Sequence, residues 1–523
     1  MSSAPDPLAG FRDALGAERV VTTDADRILH SQDVYRAGAL PLAVLRPRST
    51  AEVVDIVHHA RRHRIALHAR GGGMSYTDAY LPLTTHSVVV DLSGLDRVRS
   101  ISTADLVATV ETGCTWAALD AALATHGLRA KFWGPMSGAR ATLGGGFSQG
   151  AATFGSGRHG TSAAAALGFE IVLGTGEVLD TACLGPSRRE AFFRPYGPDV
   201  TGLFTGDAGA LGLKTAVTLQ LEPRPAVRDS TSFAFNDFDA LCHAFAAVAR
   251  RGIATEFFGV ETDLARLAAG EAALTQDLGQ LWQVVRAQPS ARDSLRQAWR
   301  MIRGGRGFLR DSHFLGHFLC EGADRGRLAR DLADLRRLVS PHGREVANSM
   351  AAVVQATPFP APAVVGPGGR RLLPLHVILP HSAVNEFHRE FLALREREAS
   401  RFAAHGVEVF VVFAGVGPSV LLYEPVIYWS DEWLALHSAT VPPEWRAGLA
   451  PGAGNPTARA YVETLRLEIV ALMQRHGGAH LQIGRAYPYL QSRSSAFLGL
   501  IRQLKSAVDP DGIINPGALG LAP

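Results

Sequence analysis

Residues 69–76 read ARGGGMSY: a basic side chain, Arg70, then Gly71, Gly72 and Gly73, then Met74, Ser75 and Tyr76. Glycine takes positive φ freely and lets a ligand come close to the amide groups. Several such N–H groups in one loop form a nest for an anion, most often phosphate. A tight turn after a strand would read the same way. A second group of candidates lies near the carboxyl end, in HLQIGRAYPY. If that stretch is extended, alternation puts Arg485, Tyr487 and Tyr489 on one face and His480, Gln482 and Gly484 on the other. Arg485 then offers the planar fork that suits a carboxylate or phenolate, and Tyr487 can hydrogen-bond a reacting oxygen. His376 and His381 in PLHVILPHS and Glu424 in LLYEPVIYW are candidate bases. Satisfied strand histidines and an ion-paired glutamate are the structural alternative.

The elements that must position these residues are legible in outline. Residues 41–70 read as strand, helix, strand, the helix opening at Ser49 or Thr50 with Glu52 close behind. Its apolar positions Val53, Val54, Ile56 and Val57 lie on one side. The glycine loop follows the second strand. HSVVVDLSGLDRV continues as a buried strand and turn, and LVATVETGCTWAALDAALATHGL as a strand leading into an amphipathic helix. From Ala165 the pattern is a hairpin with GTGE at its turn. A short helix, a glycine turn and a strand then end at Pro223 and Pro225. From 226 to 450 helices and strands are longer and glycines fewer. The last stretch holds a helix from Thr457, the HLQIGRAYPY segment, a helix to Val508, and DPDGIINPGALGL. The expected division is therefore 1–225, 226–450 and 451–523.

Bulk properties narrow the function classes. A chain of 523 residues should hold two or three domains. With 47% hydrophobic and 19% charged residues its composition is globular. A formal net charge of +3 is too mild to point to nucleic acid or an acidic membrane. The four cysteines, Cys114, Cys183, Cys242 and Cys320, are far apart and read as reduced thiols of a cytoplasmic protein. The amino terminus lacks the basic start and apolar core of a secretory signal. No apolar run is long enough to span a bilayer, while peripheral membrane contact stays compatible with the sequence. GTGEVL and GVGPSV lack the third glycine of a dinucleotide fingerprint, and Met74 and Ser75 stand where a P-loop needs Lys and Ser or Thr. HExxH, GxSxG and paired CxxC are absent, so no metal is expected.

Four stretches in this order, ARGGGMSY, GARATLGGGFSQGAATFGSGRHG, DVTGLFTGDAGALGLKTAVTLQLEP and DPDGIINPGALG, resemble the flavoproteins typified by vanillyl-alcohol oxidase and 4-cresol dehydrogenase. The FAD domain of that family is shared with D-lactate and glycolate dehydrogenases. The resemblance implies an α+β fold: a two-part FAD-binding domain, an α+β cap over the flavin, and a carboxyl-terminal segment returning to it. It also implies that Gly71 to Ser75, with Arg70, cradle the FAD diphosphate. Pro135, Gly138, Thr142, Leu143, Gly144 and Gly145 would line the diphosphate and the ring. Gly160 and Ile171 would approach the ring and adenosine portions, and Asn515 the ring's edge. Some relatives attach FAD through a histidine where Met74 stands, and others add a cysteine that GPMSGARATLGGG does not contain. Noncovalent FAD is therefore expected.

In the phenol-oxidising branch, an arginine and tyrosines near Arg485 and a tyrosine at the position of Tyr76 bind the substrate. Here Gly484 stands where a tyrosine is expected beside the arginine. The implied activity is hydride removal from a hydroxylated carbon, of a 2-hydroxy acid first and of a phenolic or benzylic alcohol held by Arg485 second. A noncatalytic flavin-binding protein is the third reading. The metal-binding segments of the hydroxy-acid branch have no counterpart in FAGVGPSVLLY or AHLQIGRAY. The residues leave open oxygen, a cytochrome or a quinone as acceptor, and a homodimer as the assembly.

Overall fold

A computed structural model describes residues 6–182, 191–194, 196–271, 312–346, 349–356, 359, 364–446 and 449–521. The first unit contains two sheets. In the smaller one, strands Ala43–Leu45, Ser87–Asp91 and Ala66–Arg70 run parallel, in that order. Helix Thr50–His63 makes the crossover. The Ser49 side chain accepts from the Glu52 N–H at its start, and Arg61, Arg62 and His63 lie in its last turn, where the helix dipole favours cations. Val53, Ile56 and Val57 are fully buried and pack with Leu67, Val88 and Val90. Parallel strands buried on both faces need such continuous apolar runs, and VVV at 88–90 supplies one. The carboxyl end of the strand Ala66–Arg70 delivers Arg70 and the glycine loop.

The second sheet is antiparallel and centres on the long strand Leu213–Pro223, flanked by Val107–Glu111 and Ala166–Val172. The expected hairpin is present, with Ala166–Val172 paired to Val178–Asp180. Helix Leu143–Gln149 packs Phe147 onto Trp116 and Phe169 beneath this sheet.

After Pro223 the chain enters an eight-stranded antiparallel sheet. Helices Phe238–Arg251, Arg325–Val339 and Val384–His405 cover one face, with Phe245, Leu332, Phe391, Phe413 and Tyr423 in the shared core. Helix Pro456–Arg475 joins that core through Leu465 and Ile469. Side chains alternate along a strand, so with Leu421, Tyr423 and Ile427 in the core, Leu422 and Glu424 point to the opposite face. Leu422 there meets Leu481 and Ala152, which belong to the carboxyl-terminal segment and the first unit.

Two buried charge contacts fix the units together. Arg129 Nη1 and Nη2 reach Glu321 of the eight-stranded sheet at 2.9 and 2.6 Å, and Nη2 reaches Glu222 at 2.7 Å. Glu256 accepts from the Gly155 N–H at 2.8 Å. Cys114, Cys242 and Cys320 are buried free thiols; Cys183 lies outside the described residues. Among the described residues no helix is long and apolar enough to cross a membrane. Removing one partner of a buried ion pair strands the other charge, so Arg129→Ala should lower unfolding stability by about 3–5 kcal/mol. Urea denaturation against Glu222→Gln and Glu321→Gln checks this, because neutralising those carboxylates in the same background should recover part of the loss.

Candidate functional site

A cleft runs between the two sheets of the first unit. Arg70, Gly71, Gly72, Gly73, Met74 and Ser75 form one side. Pro135, Thr142, Gly144 and Gly145 form the other. The glycines have a specific geometric cause. A Cβ on Gly71 would collide with the Thr142 side chain, and one on Gly72 with the Arg140 carbonyl oxygen. Gly73, at φ 73°, would strike the Arg70 guanidinium. The loop is thus bare because it lies against residues 140–142. Arg140 ties the two sides together by donating from Nε to the Gly72 carbonyl at 3.0 Å. Burial, and after it the charge of Arg70, hold Arg140 below its usual pKa. Arg70 is buried with its guanidinium over Tyr80, and its Nε and Nη2 have no partner. A dense anion lying on side-chain-free backbone would satisfy those groups, so the cradle fits a diphosphate. Arg70, Gly71, Gly72, Gly73, Ser75, Thr142 and Arg140 would hold that part of FAD.

Five residues expected at the cofactor lie off the cleft wall. Leu143 and Ile171 are fully buried in the core, Ile171 directly behind Gly212, which does line the cleft. Gly138 sits in a turn against Phe359, and Gly160, at φ 82°, is not among the residues that line the cleft. Asn515 stands behind the wall and staples it. Its Nδ2 donates to the carbonyls of Ala79 and Ala208 at 2.7 Å each, and both of those residues line the cleft.

The segment from His480 to Tyr489 is a succession of turns, with Gln482 at φ 46° and Gly484 at φ 53°, rather than a strand. Arg485 and Tyr487 therefore do not share a face. Gly484 is required because a Cβ there would run into the Thr77 carbonyl; the tyrosine expected beside the arginine cannot fit. Arg485 Nε and Nη2 donate to the Pro516 carbonyl, Nη1 to the carbonyls of Asp78 and Leu81, and Nη2 also to Asn515 Oδ1 at 2.9 Å. These bonds use all five N–H donors of a guanidinium. Arg485 is a brace between the chain end and the loop after the glycines, not a substrate fork. Tyr489 packs on Phe497 under Arg493.

The other four expected catalytic residues do come together. Pairing of Pro374 with Val426 and Val377 with Tyr423 continues one register through 375 and 376. His376 is therefore directly opposite Glu424 on the sheet face turned to the first unit. Tyr76 packs against the His376 ring at 5.8 Å and accepts at its hydroxyl from Gln482 Nε2 at 3.3 Å. Gln482 also lines the cofactor cleft, so this cluster of side chains reaches the cleft at that residue. Burial pushes the half-buried Glu424 carboxyl up to about 7 and the His376 imidazole down to about 3. Burial, then Glu424, raise the Tyr76 phenol far above its usual value. Burial also raises Tyr487. His376 is therefore a neutral ring at neutral pH and a much weaker proton acceptor than Glu424. His381 lies beyond the strand's end, where burial and then Arg250 lower it, and takes no part.

Arg140, His480 and Gln482 carry more of the site than the sequence singled out. The basic residue inside a glycine-rich block was the one available signal for Arg140.

The comparisons agree with this geometry. Residues 41–182 match the FAD binding domain, and residues 453–519 match the C-terminal domain of FAD linked oxidases. An uncharacterized FAD-linked oxidoreductase of Mycobacterium tuberculosis is 28% identical over 251 residues, 47% of this chain and 52% of that one. A probable mitochondrial D-2-hydroxyglutarate dehydrogenase of Oryza sativa subsp. indica is 30% identical over 258 residues, 47% of this chain and 43% of that one. The chain spans about half the length of the curated relatives it matches. The solved structure of p-cresol methylhydroxylase with substrate bound superposes with a TM-score of 0.74 at 15% identity, over 99% of this chain and 96% of that one.

Gly72→Ala should yield colourless protein that takes up no added FAD, because the new methyl group forces the two loops apart. Flavin absorbance after desalting reads this directly. Arg485→Ala should lower Tm and speed flavin loss. If it instead kept both and raised only KM, Arg485 would regain a substrate role. Two stretches of the chain thus match domains of FAD-linked oxidases, and its fold is similar to that of p-cresol methylhydroxylase.

Proposed function

We propose that the protein is an FAD-dependent oxidase or dehydrogenase that takes hydride from a hydroxylated carbon of a small molecule. The observation that carries this reading is the junction at Gln482. A cradle suited to FAD adjoins there a cluster of side chains that holds Tyr76, His376 and Glu424. Bound FAD supplies the two-electron acceptor, and no histidine or cysteine in either glycine block is placed to attach it covalently. Alcohol oxidation further needs a base for the hydroxyl proton and a hold on the oxygen. Glu424, half-buried with its pKa raised toward neutrality, suits the first task. His376 and Tyr76 suit the second.

Two substrate classes have support. The relatives acting on 2-hydroxy acids favour one, and the phenol-oxidising fold neighbour favours the other. A 2-hydroxy acid needs a cation for its carboxylate. Arg485, the residue assigned to that task, is fully engaged, and Glu424 would repel the substrate. A phenolic or benzylic alcohol needs an aromatic wall and hydrogen bonds to a neutral or weakly acidic oxygen, which Tyr76 and His376 offer. The site favours this second class, with Arg485 removed from the role of phenolate ligand.

The test is anaerobic flavin bleaching across D-lactate, D-2-hydroxyglutarate, vanillyl alcohol and polyols. Bleaching by the phenolic alcohol and not by the acids is expected. Flavin that no donor bleaches would instead support a noncatalytic flavin carrier. A carboxyl group with its pKa raised to about 7 is protonated below that pH and basic above it. The bleaching rate should therefore rise as pH increases through about 7. Glu424→Gln should abolish that rise and slow bleaching by about 100- to 10,000-fold.

A further inference from the structure

His376 occupies an unusual place in its sheet. The strand pair Arg371–Pro374 and Val377–Pro380 lies at the sheet edge and pairs with Val420–Trp429 in a single register. Between the two pieces, the Leu375 N–H donates to the Pro425 carbonyl, and Pro425 has no N–H to return. The ladder is interrupted there, and the next residue, His376, turns its own N–H and carbonyl outward. An open edge with unpaired backbone groups is costly inside a protein.

The carboxyl-terminal segment covers this edge with side chains. The Tyr487 hydroxyl accepts from the His376 N–H at 2.8 Å, and His480 Nδ1 donates to the His376 carbonyl at 2.9 Å. The His480 and Tyr487 rings stack at 4.1 Å, 12° from parallel. Beside them, Ile378 and Ala479 exchange backbone hydrogen bonds at 2.7 and 3.0 Å. Tyr487 Oη also lies 3.2 Å from His376 Nδ1. Among the described residues the Tyr487 hydroxyl has no further hydrogen-bond partner, so its proton goes to that nitrogen. His376 Nδ1 is then an acceptor, and the ring's own proton must sit on Nε2. Nε2 is closed off from solvent and has no partner, on a ring that packs against Tyr76 and lies opposite Glu424.

We propose that Tyr487 is a positioning residue that fixes His376 as the Nε2–H tautomer, and that this N–H donates to the oxygen of the substrate's reacting hydroxyl. This rests on the oxidoreductase reading given above. As the substrate's O–H bond breaks, its proton passes to Glu424. The C–H bond breaks with its electron pair leaving as hydride to the acceptor, and the carbon–oxygen bond becomes a carbonyl. Negative charge builds on the oxygen between these events, and a prepositioned neutral donor stabilises it without reorganising. The substrate therefore presents an acceptor oxygen, rather than a cationic group, to this cluster of side chains.

The test has two arms on the FAD-loaded protein. In the first, ring-nitrogen-labelled histidine is read by NMR, with His376 assigned by the signals lost in His376→Gln. Wild type should show Nε2 protonated and Nδ1 accepting, and Tyr487→Phe should give a mixture of tautomers. A proton on Nδ1 in wild type, or an unchanged ring in Tyr487→Phe, overturns the lock. In the second, with a donor that bleaches the wild-type flavin, His376→Leu should slow bleaching about 100-fold. His376→Gln, which keeps an N–H donor, should recover part of that rate. Tyr487→Phe should slow bleaching about 10-fold, yet cost nothing more in the His376→Leu background. Additive losses would show that Tyr487 acts elsewhere and overturn the proposal. If no donor bleaches wild type, the oxidoreductase reading fails and takes the donor role with it, while the ring spectra alone still uphold or overturn the lock.

Discussion

Gly71 and Gly72 lie against Thr142 and Arg140 with no room for a methyl group between the two loops. That close approach bounds the cleft between the two sheets. It sets the width of the cradle and brings Arg70 and Arg140 to one anion-binding point. It also directs the chain that follows, Ser75 to Asp78, toward the second unit. Asp91 acts on both cations, yet Arg70 keeps buried donors without a partner among the described residues, which calls for an acceptor beside them. A diphosphate satisfies the requirement that the backbone packing creates.

The chain end completes what the loops begin. Asn515 holds the carbonyls of Ala79 and Ala208, and Arg485 braces Asp78, Leu81 and Pro516. The cleft wall and the turn after the glycine loop are therefore set by residues more than 400 positions away. A few residues earlier, the same segment covers the open sheet edge at His376. One stretch of irregular backbone thus governs both the cofactor side and the substrate side. It can do so because its turns are fixed at Gln482 and Gly484 by positive φ. An extended strand would have reached only one of the two.

The electrostatics divide the work between the units. The first unit contributes cations, and the second contributes a carboxyl and a histidine whose burial suppresses charge. Glu424 is held near neutrality by burial and His376 is kept uncharged. Side chains held this way keep charge low on the second unit's side of the junction.

The glycine loop, the Ser49-capped helix with its apolar stripe, the hairpin with GTGE at its turn and the break at Pro223 are local features. Propensity, capping and period determine them, and each was legible in the order of residues. Arg70 and the bare loop were legible for the same reason, since phosphate chemistry demands that combination. Tyr76, His376, Glu424 and Tyr487 could be named as candidates by residue type, but not as one group. Only the register across Pro425, which sets His376 opposite Glu424, and the return of the chain end bring them together. Arg485 shows the opposite case. Its type suggested an anion ligand, yet whether a guanidinium is free depends on which carbonyls surround it, and Asp78, Leu81 and Pro516 reach it only in the folded chain. Likewise, the alternation expected of HLQIGRAYPY failed because the Thr77 carbonyl forces Gly484 out of the extended region. Sequence determined which groups were available; long-range packing decided which of them were still free to act.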